Sequence, residues 1–205
     1  MQSTWDDERR AFSDAATWFA GLTARVGDRW EQPGLGEWDV RSLVGHTGRA
    51  LLTVETYLAR PAPSALEVPS AAAYYAAARR LVGGPEVTER GRAAGRDLGE
   101  DPVAAVAALV ARVPALLEDR DGSELVPTVV GAMRLEDYLP TRVLELAVHG
   151  SDLAAALGVP GEVPPRAAAS SLHLLADLAV ADGRSATLLR ALTGRTALPV
   201  GTTLL

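Results

Sequence analysis

The chain has 205 residues, of which 48% are hydrophobic and 22% are charged, a composition typical of one folded domain that is long enough to bury a core. Its formal net charge of −6 argues against non-specific binding to nucleic acid or to an anionic membrane surface. The absence of cysteine excludes disulfides, thiolate-ligated zinc and a cysteine nucleophile, so any thiol chemistry must use a thiol supplied from outside.

The first part of the chain predicts three helices. Its N-terminal residues contain no basic segment followed by an apolar stretch, so we expect no signal peptide. Apolar spacing, caps and helix-breaking residues define the three helices. The first spans residues 5–26, the second runs from its cap at Asp39 to Leu58, and the third runs from its cap at Ser70 to about Leu81. Residues 83–85 should break the third helix, and the polar residues 86–99 give no clear prediction.

The second part predicts four further helices and one extended linker. The helices are 101 to about 119 with a kink at Pro114, Leu135–Leu157, Pro165–Ala181 and Ser185–Leu192. Because Pro140 lies inside the second of these, that helix could begin nearer Leu139. Residues 126–130 are too short to build a sheet and are expected to form the linker.

Long helices joined by modest loops, without alternating strands, predict an all-α antiparallel four-helix bundle with short accessory helices. We expect a single domain over residues 1–205, with 195–205 as a C-terminal tail. No stretch reaches the roughly 18 apolar residues that a membrane span needs. The sequence therefore predicts no membrane association and, by default, a cytoplasmic location.

Three histidines are present, and one of them forms a spaced pair with a carboxylate. Glu145 and His149 are four residues apart on a predicted helix, which places them roughly 40° apart on one face with about 6 Å between their Cβ atoms. Both side chains can therefore reach one metal ion, and His46 on a facing helix is the candidate third ligand. An isolated pair of this spacing is more often a surface salt bridge or a half-buried pair.

Two motifs resemble a known family. Residues 33–46 contain W-x-V-x-x-L-x-x-H, which resembles the signature that opens the second helix of the maleylpyruvate isomerase-like, DinB-related family. Residues 142–154 read R-x-x-E-x-x-x-H-G-x-D-L-A, which resembles the second signature of that family. Residues 188–199 are similar to the closing segment of these bundle domains.

The resemblance implies a DinB-like metal-binding bundle with a defined ligand set. His46, Glu145 and His149 then become ligands of a divalent metal, with zinc as the expected ion. Asp152 could accept the second imidazole proton of His149 and orient the ring, although a charge on the helix surface explains it equally well.

Other side chains have open assignments. Arg49 and Arg142 could each bind a substrate carboxylate through two parallel hydrogen bonds, or serve as ion-pair partners. We expect Trp38 to pack at the junction of loop and helix, and Tyr74 and Tyr75 to lie in the core and at its rim. His173 is expected to be structural or exposed.

The resemblance further implies a thiol-dependent enzyme whose cosubstrate is mycothiol. A metal-activated thiolate would attack a small electrophile, and the enzyme would be a transferase or an isomerase. If the electrophile is acidic, an arginine would hold it. All 20 basic residues are arginine, which suggests a GC-rich host such as an actinobacterium. Maleylpyruvate isomerases proper carry a second, C-terminal domain, which we do not expect here.

Two alternatives remain open at this point. A metal-dependent hydrolase would use the same bundle to activate water instead of sulfur. A non-catalytic metal-binding or stress protein would keep the bundle alone. Bundles of this type often self-associate, so a homodimer is compatible with the sequence, which does not specify an oligomeric state.

Overall fold

The computed structural model describes residues 4–81 and 85–205, and helices dominate these residues. In chain order the elements are α1 (Trp5–Thr23), β1 (Pro33–Leu35), β2 (Trp38–Asp39), α2 (Val40–Leu58), α3 (Ala71–Leu81), α4 (Pro85–Asp97), α5 (Pro102–Arg112), a 3₁₀ turn (Pro114–Leu117), β3 (Leu125–Thr128), β4 (Gly131–Arg134), α6 (Leu135–Leu157), α7 (Pro165–Ala181) and α8 (Ser185–Leu192).

The fold is the expected all-α bundle, with α6 at its centre. Helix α6 packs against α1, α2 and α7, while α3 to α5 and α8 are the accessory helices. The core is aliphatic and aromatic, and its largest fully buried side chains include Phe12, Phe19, Leu43, Leu144 and Tyr138. No helix of the described ranges is long and apolar enough to cross a bilayer.

The helix ends follow the capping residues that the sequence contains. Thr4 and Asp7 form a capping box at the start of α1. The Asp39 carboxylate accepts a hydrogen bond from the backbone N–H of Ser42 at 2.7 Å, as expected for the N-cap of α2. Gly158 ends α6 in the left-handed conformation, with φ 63°, which glycine adopts without steric cost.

The prediction of an extended linker at residues 126–130 was wrong. Strands β3 and β4 pair in antiparallel register over four residue pairs, from Leu125 with Arg134 to Thr128 with Gly131. Gly131 has φ 127°, a conformation that side chains disfavour. The hairpin is held from outside as well, because the Glu67 carboxylate accepts from the backbone N–H of Ala132 at 2.8 Å.

Other helix boundaries differ from the expectation in detail. Residues 85–97 form α4, although the polar residues 86–99 gave no clear prediction. Of the break predicted at 83–85, residues 83 and 84 lie outside the described residues, and Pro85 begins α4. The helix expected over 101–119 is shorter, because α5 ends at Arg112. A separate 3₁₀ turn follows it and begins at Pro114. Helix α6 begins at Leu135 and contains Pro140. The backbone N–H groups of Leu135 and Glu136, which have no partner within the helix, donate to the backbone oxygens of Glu124 and Gly122.

Candidate metal site

The bundle brings His46, Glu145 and His149 together. His46 lies on α2, and the other two lie on the facing side of α6. One donor atom from each of the three side chains lies within 4.8 Å of the other two. The two imidazole rings have centroids 4.8 Å apart and are nearly perpendicular, at 85°. Residues separated by about a hundred positions in the sequence therefore form one polar cluster.

Helix α6 places its two side chains on one face, as the four-residue spacing predicts. His149 Nε2 lies 3.4 Å from Glu145 Oε2, and both side chains are half-buried, with 18% and 24% exposure. His149 Nδ1 lies 3.1 Å from Asp152 Oδ2. Because a carboxylate can only accept, this hydrogen bond keeps a proton on Nδ1 and turns Nε2 toward the cluster.

Trp38 forms one wall of the cluster. Its ring stacks on the His46 ring with centroids 4.4 Å apart, and its indole N–H donates to the Thr88 backbone oxygen on α4 at 3.0 Å. The sequence predicted that Trp38 packs at the junction of loop and helix, and it does lie buried directly before α2. Because the Trp38 ring contacts the His46 ring, this packing also orients a candidate ligand.

Tyr75 contacts a candidate ligand in a way that the sequence did not predict. Its hydroxyl donates to Glu145 Oε1 at 2.9 Å, and it lies on α3, 70 residues before its partner. We had expected Tyr75 only in the core or at its rim, and it is indeed buried. No sequence spacing links α3 to α6, so only the tertiary fold shows that this tyrosine fixes the carboxylate.

The electrostatics of the cluster separate the two histidines. Burial and then the charge of His149 lower the pKa of His46 to about 4. Burial lowers the pKa of His149, but hydrogen bonds with Asp152 and Glu145 raise it overall to about 9. Burial raises the pKa of Glu145, but the hydrogen bond with His149 and the charge of Arg142 bring it down to about 2. His46 is therefore neutral, and Glu145 and His149 form an ion pair.

The donor set fits a divalent metal ion. Two imidazoles and one carboxylate are ligands that zinc takes in catalytic sites, where three protein ligands leave a position open. The Nδ1 of His46 is buried and has no hydrogen-bond partner in the part of the chain that the structure describes. A neutral imidazole has one unprotonated nitrogen that can bind a metal ion, and the low pKa of His46 keeps its ring in that form.

The two arginines have different surroundings. Arg142 is 8% exposed, and its guanidinium packs over the rings of Tyr138 and Tyr74, 4.9 and 5.4 Å from their centroids. Arg49 is half-buried on α2, one turn after His46. Neither forms an ion pair with an acidic side chain within residues 4–81 and 85–205. His173 is exposed on α7, in line with the expectation for it.

The comparison with known families matches this part of the fold. A family model described as the mycothiol maleylpyruvate isomerase N-terminal domain matches residues 9–154. That range includes α2, most of α6 and all three candidate ligands. No curated protein and no solved structure matches the chain.

Proposed function

The chain belongs to the mycothiol maleylpyruvate isomerase N-terminal domain family, and we propose that it is a divalent-metal-dependent thiol transferase or isomerase. In this proposal mycothiol is the thiol cosubstrate, zinc is the ion, and the second substrate is a small electrophile. The observation that carries the proposal is the convergence of two imidazoles and one carboxylate within 4.8 Å.

The two reaction types share their first bond. The sulfur of the thiol adds to an electrophilic carbon and forms a C–S bond. If the same bond breaks again after a change in geometry, the thiol is regenerated and the reaction is an isomerisation. If the C–S bond is kept, the reaction is a transfer. In that case either the bond from carbon to a leaving group breaks and its electron pair departs with that group, or the carbanion formed by addition to an alkene takes up a proton.

The residues of the cluster would hold the ion and keep the ligands oriented. His46, Glu145 and His149 are the proposed ligands. When bound, the ion would lower the pKa of the thiol, so that the thiolate exists at neutral pH. Asp152 keeps the Nδ1 proton of His149 in place. Tyr75 fixes one oxygen of Glu145, and Trp38 covers one face of the His46 ring.

The arginines divide between substrate binding and positioning. We propose Arg49 for a substrate carboxylate, because its half-buried guanidinium has no acidic partner among the described residues. The burial of Arg142 favours a positioning role, in which its charge stabilises the Glu145 carboxylate. A bidentate guanidinium–carboxylate contact would favour acidic electrophiles.

Metal analysis tests the ligand set. Purified wild-type protein should contain about one zinc ion per chain, as expected for a three-ligand site, and the variants H46A, E145Q and H149A should lose it. H173A and E118Q are matched controls, since each removes the same chemical group from an exposed position outside the cluster. Metal retained in H46A would contradict the proposal.

A thiol assay tests the reaction. The zinc-loaded protein is incubated with mycothiol and a panel of activated alkenes, epoxides and α-halo acids, and products are followed by mass spectrometry. We expect thiol-dependent conversion, as an adduct or an isomer, that H46A abolishes. Turnover of esters or amides without added thiol would favour the hydrolase instead.

A further inference from the structure

A large cavity lies on the other side of α6 from the metal cluster. Its volume is about 1030 Å³, and residues of α1, α3, α6 and α7 line it, including Pro140. Glu145 and His149 follow Pro140 by five and nine residues, which at 100° per residue turns them away from it by about 140° and 180°. The cavity shares no lining residue with the metal cluster, and its volume suits a small-molecule ligand.

The lining of the cavity carries an excess of negative charge. Four carboxylates face one guanidinium, that of Arg134, and the four are Glu8, Glu136, Asp137 and Asp177. No ion pair joins any of the four to a basic side chain in the described ranges. The N-termini of α1, α3 and α6 lie at the cavity, but each contributes only about half a positive charge. A negative excess therefore remains.

Glu8 is the carboxylate of the cavity best placed to bind a cation. It is only 7% exposed, and its Oε2 accepts from the Ser170 hydroxyl at 2.6 Å. No hydrogen bond to its Oε1 and no cationic partner are found in the part of the chain that the structure describes. Oε1 is not among the enclosed side-chain atoms that lack a partner, so it is open to the cavity that Glu8 lines, where it can accept from a cationic donor.

The remaining lining defines the kind of cation. Trp5 lines the cavity beside Glu8, and an indole face attracts organic cations. A bare metal ion fits less well, because among the described residues the one group of three acidic or histidine side chains close enough to share an ion is the cluster at His46. Burial and the charge of Glu136 raise the pKa of Asp137, in line with crowded carboxylates that a ligand cation would relieve.

We propose that this cavity binds a small organic ammonium ion, with the Glu8 carboxylate as its main counter-charge and Trp5 as its aromatic wall. The site is independent of the metal cluster and of the proposed thiol chemistry. It gives the protein a second ligand on the opposite side of its central helix.

Calorimetric titration with choline and with ethanolamine tests this site on the whole protein, with EDTA present so that the metal cluster plays no part. We expect at least one of the two to bind. The uncharged isostere of that probe, 3,3-dimethyl-1-butanol for choline or ethylene glycol for ethanolamine, should bind at least tenfold more weakly. E8Q keeps the shape of the side chain and should lower the affinity at least tenfold, while E118Q should leave it unchanged.

A second variant keeps the test decisive if E8Q does not fold, which circular dichroism would show. Asp177 lies at the exposed edge of the cavity, so D177N should preserve the fold and lower the affinity about twofold to fivefold. Equal binding of the ammonium probe and its neutral isostere, or no binding of either ammonium ion, would overturn the proposal. Wild-type affinity in folded E8Q, or in D177N if E8Q does not fold, would overturn it as well.

Discussion

At the scale of single residues, the hydroxyl of Tyr75 orients the candidate ligand Glu145, although Tyr75 is not itself a proposed ligand. It donates to Glu145 Oε1 at 2.9 Å, and such outer contacts orient the ligands of a metal. We predict that Y75F lowers zinc affinity about tenfold, within the range that such contacts usually contribute. Competition with a chromophoric chelator measures this affinity.

A second tyrosine offers the matched control for that measurement. Tyr57 stacks on Tyr138 with ring centroids 5.5 Å apart, and it lies outside the metal cluster. Y57F should therefore retain wild-type zinc affinity. If Y75F and Y57F bind zinc equally well, the Tyr75 hydroxyl has no role in the site.

The proton on His149 makes a prediction about pH. Burial lowers the pKa of His149, but hydrogen bonds with Asp152 and Glu145 raise it to about 9, so at pH 7 the metal-free ring carries a proton that an ion must displace. Lowering the pH from 8 to 6 should weaken zinc binding about tenfold per unit, since one proton is released. His46 adds no proton in this range, because its pKa is lowered to about 4.

Calorimetry in two buffers with different protonation enthalpies measures that release directly. The expected value at pH 7 is about one proton per ion, in keeping with the displacement of one ligand proton by a metal. Zinc affinity that stays constant between pH 6 and pH 8 would show that His149 does not carry this proton in the metal-free protein.

Individual residues also show how far the sequence could predict the site. The proximity of Glu145 and His149 follows from helical spacing, and the family motif brought His46 to them. The contacts of Trp38 with His46 and of Tyr75 with Glu145 depend on how α2, α3 and α6 cross. No local pattern encodes those crossings, so no signal in one sequence could have found these contacts.

At the scale of elements, the sequence predicted the long helices well because their apolar faces repeat regularly. Helices α7 and α8 have the predicted bounds, and α6 also begins and ends as first predicted. Helix α4 and the β3–β4 hairpin were missed for a common reason. Each depends on tertiary contacts, such as the Trp38 indole bonded to Thr88 and the Glu67 carboxylate bonded to Ala132, which override weak local preferences.

The crossing of α2 and α4 gives a prediction at this scale. A Cβ added at Gly45 would overlap the backbone of Ala94 and Gly95, so G45A must push the helices apart. Such overpacking costs about 1–3 kcal/mol, and α4 also carries the backbone acceptor of Trp38. We therefore expect G45A to lower both the free energy of unfolding and zinc affinity, as measured by urea denaturation and chelator competition.

Gly48, one turn further along α2, is the matched control. A Cβ there would make an ordinary contact of 3.9 Å with Leu109, and alanine is favoured over glycine inside a helix by about 1 kcal/mol. G48A should therefore be neutral or stabilising and should leave zinc affinity unchanged. Equal stability of G45A and G48A would mean that α2 and α4 do not approach as closely as described.

At the scale of the whole molecule, α6 organises two separate regions. Its contacts with α1, α2 and α7 make it the central helix of the bundle. One face contributes Glu145 and His149 to the metal cluster, and the opposite face contributes Glu136 and Pro140 to the cavity. A metal ion at the cluster and a cation in the cavity, as proposed, would therefore contact the same helix on different faces.

The last prediction follows from the distance in sequence between the ligands. Glu145 and His149 are neighbours on one helix, but His46 joins them only when α2 and α6 are packed, so the complete site exists only in the folded state. Zinc at a hundred times its dissociation constant should then raise the free energy of unfolding by about 2.7 kcal/mol. Urea denaturation with zinc and with EDTA measures the difference. H46A should lose this increment and H173A should keep it, whereas an increment that survives in H46A would mean that the α6 pair alone binds the ion.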